Sequence, residues 1–168
     1  MKEKEMEGWH QSQRGYFAGA LFSEMLKDSS IYLLTGDLGY GMFDKIQNMF
    51  PGRFINCGAA EQAMLDIAVG LAQEGKKPFV YTITSFFLRA AETISLYLAH
   101  ENIAVRLVGS GVGDNYRHDG YSHDGTKAQE FIHSCQLMEH YPTSKEQIPT
   151  MVKYMVEHDE ASFIGLIR

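Results

Sequence analysis

The chain has 168 residues, 45% of them hydrophobic, with 21 acidic side chains against 15 Lys and Arg and a formal net charge of −6. Length and apolar content suit one domain over residues 1–168 with a sizeable core, and exclude a disordered chain. The acidic balance argues against nucleic acid as a partner. No apolar run approaches a membrane span, and the charged start Met1-Lys2-Glu3-Lys4-Glu5 is unlike a signal peptide, so a cytoplasmic protein is expected.

Residues 1–12 are polar and expected to fray. Apolar positions at helical spacing predict a first helix over 15–26, closed by Asp28-Ser29-Ser30. Ile31-Tyr32-Leu33-Leu34 reads as a buried strand running into the turn Thr35-Gly36-Asp37-Leu38-Gly39-Tyr40-Gly41. A short helix over 43–50 ends at Pro51-Gly52. A second strand over 53–57 leads into a helix over 60–73, whose Met64, Ile67, Ala68, Leu71 and Ala72 repeat at helical intervals. After the stop Gly75-Lys76-Lys77-Pro78 come a strand over 79–83, a turn at 85–87 and a helix over 89–98. Residues 105–109 form a fourth strand. The long loop over 110–125 is of the kind that usually carries function. A helix over 130–138, with Thr126 as a cap before it, is followed by the break Tyr141-Pro142-Thr143-Ser144. Ser144 and Gln147 have the spacing of a capping box for the next helix, and residues 163–167 close the chain as a strand. Strands alternating with helices predict a three-layer α/β/α fold around a mostly parallel sheet.

The central stretch is Phe54-Ile55-Asn56-Cys57-Gly58-Ala59-Ala60-Glu61-Gln62, which puts Glu61 in a first helical turn at the carboxyl end of a strand. Such strand ends are favoured ligand sites in open α/β sheets. Glu61 has two readings: a solvated glutamate favoured by the helix dipole, or a desolvated acid able to share a proton with a weakly basic ring nitrogen. Gly36-Asp37 reads as a turn and lacks the spacing of a phosphate loop. Within Arg117-His118-Asp119-Gly120-Tyr121-Ser122-His123, His118, Asp119 and His123 are conceivable metal ligands. Cys57 and Cys135 have neither metal-ligand nor redox spacing and read as reduced.

Gly58-Ala59-Ala60-Glu61-Gln62, Gly70-Leu71-Ala72, Gly75, Pro78-Phe79, Phe86-Phe87-Leu88-Arg89 and Asp119-Gly120-Tyr121-Ser122-His123, in this order, resemble the pyrimidine-binding domain of transketolase. The resemblance extends to deoxyxylulose-phosphate synthases and covers about residues 30–168. It implies a thiamine-diphosphate enzyme in which Glu61 binds N1′ of the aminopyrimidine and promotes its imino tautomer, so that the thiazolium C2 proton can leave. By the same resemblance Phe86 packs on the pyrimidine, and Ile83 stands where the family usually has an aromatic ring. Asp37 lies near the thiazolium, and Arg89 is either a surface side chain or a positioning group at the cleft. His123 reaches substrate oxygens, Asp119 contacts sugar hydroxyls, and Arg117 and His118 are further substrate contacts; no metal is implied there.

Two family arginines that hold substrate phosphate are missing, replaced in the regions of Ser110-Gly111 and Gly165 of Gly165-Leu166-Ile167-Arg168. The family's Gly-Asp-Gly…Asn magnesium motif is also missing, and with it the diphosphate-binding half. The resemblance therefore implies the small subunit of a split enzyme. Its partner would be a diphosphate-binding chain carrying Mg2+ or Ca2+, in an α2β2 assembly with homodimer contacts between pyrimidine domains. The reaction implied is transfer of a two-carbon ketol unit from a ketose to an aldose. A synthase, a 2-oxoacid dehydrogenase component, a non-catalytic scaffolding or regulatory domain and a small nucleotide-binding module remain as alternatives.

Overall fold

The structure, a computed structural model, describes residues 8–167. Seven of the twelve residues expected to fray, and Arg168 of the C-terminal arginine comparison, lie outside these. Residues 8–12 pack onto the fold: the Trp9 ring lies 5.5 Å from Phe22, and the Ser12 hydroxyl accepts from the Gly15 amide at 3.2 Å.

That cap starts α1 (Gln13–Lys27) two residues before the expected point. There follow β1 (Ile31–Thr35), α2 (Asp44–Met49), β2 (Phe54–Asn56), α3 (Glu61–Gln73) and β3 (Lys77–Ile83). Pro78 is tolerated inside β3 because pairing with β4 starts only at Phe79 opposite Arg106, so no neighbour on that side needs its missing donor. Beyond it come α4 (Ala91–Thr93), β4 (Arg106–Ser110), α5 (Thr126–Ser134), β5 (Met138–His140), α6 (Ile148–Glu157) and β6 (Ser162–Leu166).

All pairings between the described strands are parallel, in the order β2-β1-β3-β4-β6-β5. Phe79 and Tyr81 face one side of the sheet, with α1, α2 and α6. Val80 faces the other, with α3, α5 and the segment after β3. This is the expected three-layer arrangement.

Three local expectations need correction. The helix expected over 89–98 is a run of three windings: a 3-10 segment Thr84–Ala90, the α-turn α4 and a π segment Ile94–His100. The cause is spacing. Thr84, Phe87 and Ala90 are all buried and stand three apart, and a three-residue turn stacks them in line where an α-helix would fan them over about 120°. The helix expected over 130–138 is α5, which starts and ends four residues earlier, because Asp124 accepts from the Thr126 amide at 3.0 Å and Gln136 takes a positive φ of 56°. Met138 belongs instead to β5, an unexpected strand. β5 pairs only with β6, so as an edge strand it carries Glu139 and His140 without an apolar run.

The chain leaves β1 for β2 on one side and β3 for β4 on the other. The connections diverge between β1 and β3, opening a crevice at the carboxyl ends of these strands.

Candidate active site

On the α3 side of that edge, Glu61 opens its helix and is only 3% exposed. Its Oε1 accepts from Arg89 Nη1 at 2.7 Å. The Arg89 guanidinium carbon lies 4.0 Å from the Phe86 ring centre, and the Phe86 ring meets the His123 ring edge-on at 5.2 Å. Glu61, Arg89, Phe86 and His123 therefore form one continuous chain of contacts. The loop bearing His123 is anchored by Ser85 Oγ, which donates to the Ser122 carbonyl at 2.8 Å; Ser122 Oγ lies 3.0 Å from His123 Nδ1. Gly36 leaves space before the carboxylate: a Cβ there would stand 3.3 Å from the Gly58 carbonyl oxygen and 3.8 Å from Glu61 Oε1.

Asp37 is one residue further along this turn, at a φ of 58°. Asn56, the last residue of β2, stabilises that left-handed backbone by accepting from the Asp37 amide at 2.9 Å and the Gly58 amide at 3.0 Å. The Tyr40 hydroxyl donates to the Asp37 carboxylate.

On the α1 side the same edge holds a cavity of about 640 Å³. Ile83 lines it, together with Tyr81, Ser110, Tyr116 and Arg14. Arg14 Nη1 donates to the Tyr116 hydroxyl at 3.0 Å, and that oxygen lies 3.1 Å from Ser110 Oγ. Among the described residues Arg14 Nε is buried with no hydrogen-bond partner, and burial pushes the Tyr81 phenol above its usual range. Arg14 and Tyr116 were not anticipated from sequence. A cation near the start of α1, which has no acidic residue in its first turn, runs against the helix dipole and is the signal that could have marked Arg14.

Arg117, His118 and Asp119 lie on an exposed 3-10 turn, Arg117–Asp119. Arg117 reaches Asp124 at 3.9 Å and His118 reaches Asp119 at 3.5 Å. None of the three lines the cavity, although the His118 ring lies 6.4 Å from that of Tyr116, which does. Among the described residues no three His, Cys, Asp or Glu side chains are grouped to hold a metal ion, and no helix is long and apolar enough to cross a membrane.

A parallel three-layer α/β domain with a buried acid, an aromatic face and a cavity at its strand ends belongs to the class of open-sheet α/β proteins, in which strand ends are the favoured places for ligands. More particularly, residues 10–167 match the transketolase pyrimidine binding domain, and the chain belongs to that family. It is 28% identical over 158 residues to the 6-deoxy-6-sulfo-D-fructose transketolase subunit of Clostridium sp. (strain MSTE9), covering 92% of this chain and 49% of that one. It is 26% identical over 164 residues to one of the subunits of the apulose-4-phosphate transketolase of Phocaeicola vulgatus (strain ATCC 8482), covering 92% and 51%. A split-gene transketolase solved as an inactive tetramer superposes with a TM-score of 0.81 at 26% identity, covering 94% of this chain and 51% of that one. The chain thus spans about half the length of the curated relatives it matches.

Proposed function

We propose that this chain is the pyrimidine-binding part of a thiamine-diphosphate-dependent, transketolase-like transferase that moves a two-carbon ketol unit from a ketose donor to an aldose. The observation that carries the reading is the buried Glu61 carboxylate, in contact through Arg89 with the Phe86 ring and onward to His123. The residues fit a planar aminopyrimidine. Glu61 is an acceptor, Phe86 offers a flat face, Gly36 leaves room in front of the acid, and Ile83, the last residue of β3, offers an apolar wall at the strand-end edge where the acid cluster and the cavity meet. When bound, thiamine diphosphate supplies a nucleophilic carbon and an electron sink.

The chain's own residues then have distinct tasks. Glu61 holds a proton at the ring nitrogen, and its burial keeps water from competing for it. Phe86 and Ile83 orient the ring. Asp37 provides negative charge toward a thiazolium. His123 donates to substrate oxygens or passes protons, while Asp119, Arg117 and His118 meet the sugar from the loop. Arg14 faces the cavity with a guanidinium suited to an anionic end of a sugar. The substrates named for the two curated relatives bear a sulfo group and a phosphate, which supports an anionic ketose.

The diphosphate and its Mg2+ or Ca2+ belong to a separate subunit in this reading, in an α2β2 assembly. Ile67, Leu96 and Tyr97, each more than 40% exposed on α3 and the π segment, offer an apolar face for contact between two pyrimidine domains. The test mixes the chain with a diphosphate-binding partner, thiamine diphosphate and Mg2+, and assays ketol transfer from sulfo- and phospho-ketoses. Glu61→Ala should lower turnover at least about 100-fold, the usual scale for loss of a general acid–base group. Near-normal turnover in that variant, or full activity of this chain alone, would sink the proposal.

A further inference from the structure

The 3-10 winding of Thr84–Ala90 has a consequence for its exposed side. Residues three apart eclipse in this helix. Thr84, Phe87 and Ala90 take the buried face, and Phe86 and Arg89 share another. The guanidinium is thereby laid over the Phe86 ring at 4.0 Å while Nη1 donates to Glu61 Oε1 at 2.7 Å. A guanidinium is flat, cationic and rich in N–H donors. With one carboxylate and one aromatic face it makes the two contacts that the proposed function assigns to the aminopyrimidine.

We propose that Arg89 is a built-in occupant of the pyrimidine half-site, a self-ligand that the incoming ring must displace. The idea rests on the proposed role of Glu61 and extends it to the free chain. A carboxylate as buried as Glu61 needs a donor when no ring is present, and Arg89 is that donor. The Arg89 side chain is itself 51% exposed, so once displaced it can be hydrated without crossing the protein. Ring binding is then an exchange of one planar donor for another. The exchange weakens affinity for the ring and keeps the acid satisfied until the ring arrives.

The test uses the full chain and the isolated 4-amino-5-hydroxymethyl-2-methylpyrimidine as probe. Titration calorimetry should show Arg89→Met binding this probe about three- to tenfold more tightly than the wild type, the scale of one cation–π contact plus one half-exposed ion pair. Arg89→Lys keeps the charge but not the plane, and should fall between them. In the wild type, nitrogen-15 spectra should show the Arg89 Nε–H signal moving toward the position of a solvated arginine as the probe saturates.

An Arg89→Met chain that binds no better than the wild type, including one in which neither binds, overturns the proposal. So does weaker binding by Arg89→Met, which would make Arg89 a ligand of the ring instead of its competitor. Glu61→Ala separates this idea from its premise. Undiminished probe binding there removes the role of Glu61 in holding the ring, whereas lost binding there with no gain in Arg89→Met removes only the self-ligand.

Discussion

Replacing Arg106 by methionine should destabilise the fold severely. This arginine opens β4, and its side chain is fully buried. Nε donates to the Met155 carbonyl at 3.0 Å, Nη1 to the Ala104 carbonyl at 2.6 Å and Nη2 to the His158 carbonyl at 3.0 Å. Two of these acceptors lie at the carboxyl end of α6, where the helix dipole favours a cation. Burial lowers the proton affinity of Arg106, and Asp159, 3.5 Å away, acts to restore it. Hydrogen bonds from a charged donor are worth about 1.5–3 kcal/mol each, but the Ala104 and His158 acceptors are close enough to solvent for water to replace part of the loss. The net cost should be about 3–5 kcal/mol, with the Met155 acceptor left unsatisfied outright and the other two in part. In urea unfolding at pH 7 that corresponds to a midpoint lowered by about 2 M at an unchanged slope. Arg106→Lys places its donors on one point and cannot span three carbonyls, so it should lose an intermediate amount. A midpoint shift equivalent to less than about 1 kcal/mol for the methionine variant would refute the idea that these carbonyls depend on the guanidinium.

Two further changes test other joints of the fold. Burial of Asp28 opposes its charge, but hydrogen bonds from Lys77 and Ser30 outweigh this and hold its pKa at about 2, against an ordinary 3.8. A depressed carboxylate stabilises the fold fully above its unfolded pKa and ceases to do so as pH falls through the folded value. Asp28→Asn should therefore lose about 1 kcal/mol at pH 7, after allowance for solvent screening of this partly exposed pair, and the deficit should shrink between about pH 4 and pH 2. Chemical denaturation across that range checks the sign, and a deficit constant with pH counts against it. At Gly165 a Cβ would stand 2.5 Å from Val112 Cγ1 and 2.8 Å from Tyr141 Cε1, so Gly165→Ala should lower stability by about 1–3 kcal/mol through overpacking. A melting temperature equal to that of the wild type would show that Tyr141 moves aside freely.

The parts of this molecule that could be read from sequence are those where burial is periodic. Ile31 to Leu34 and Phe79 to Tyr81 are apolar because both faces of a central parallel strand are covered, and α3 shows its stripe because one face packs on the sheet. β5 could not be read, since an edge strand of three residues has no need of such a pattern. The winding after β3 was hidden because a spacing of three at Thr84, Phe87 and Ala90 is too short a run to stand out within a helical pattern. The motif residues Glu61, Phe86, Arg89 and His123 could be named, but their meeting depends on how α3 and the loop after β4 both fold back onto the segment following β3. Arg14 and Tyr116, 102 residues apart, became partners only through the packing of α1 against the strand ends.

That packing also bears on the missing arginines. Gly165 has its neighbouring space filled by Val112 and Tyr141 and so has no room for a guanidinium, while Ser110 lines the cavity wall with its hydroxyl against that of Tyr116. The cavity still has a cation, Arg14, brought from α1 on the face of the sheet opposite Glu61. Strand alternation separates the acid cluster from the cavity: Tyr81 and Ile83 point toward the cavity, and Thr82 between them points away. The acid cluster and the cavity therefore meet only along the edge formed by Gly36 and the carboxyl ends of β3 and β4. On the function proposed above, a change in the size or charge of the cavity alters which sugar fits without moving the carboxylate. This arrangement places a family motif around Glu61 beside a cavity whose cation, Arg14, comes from α1.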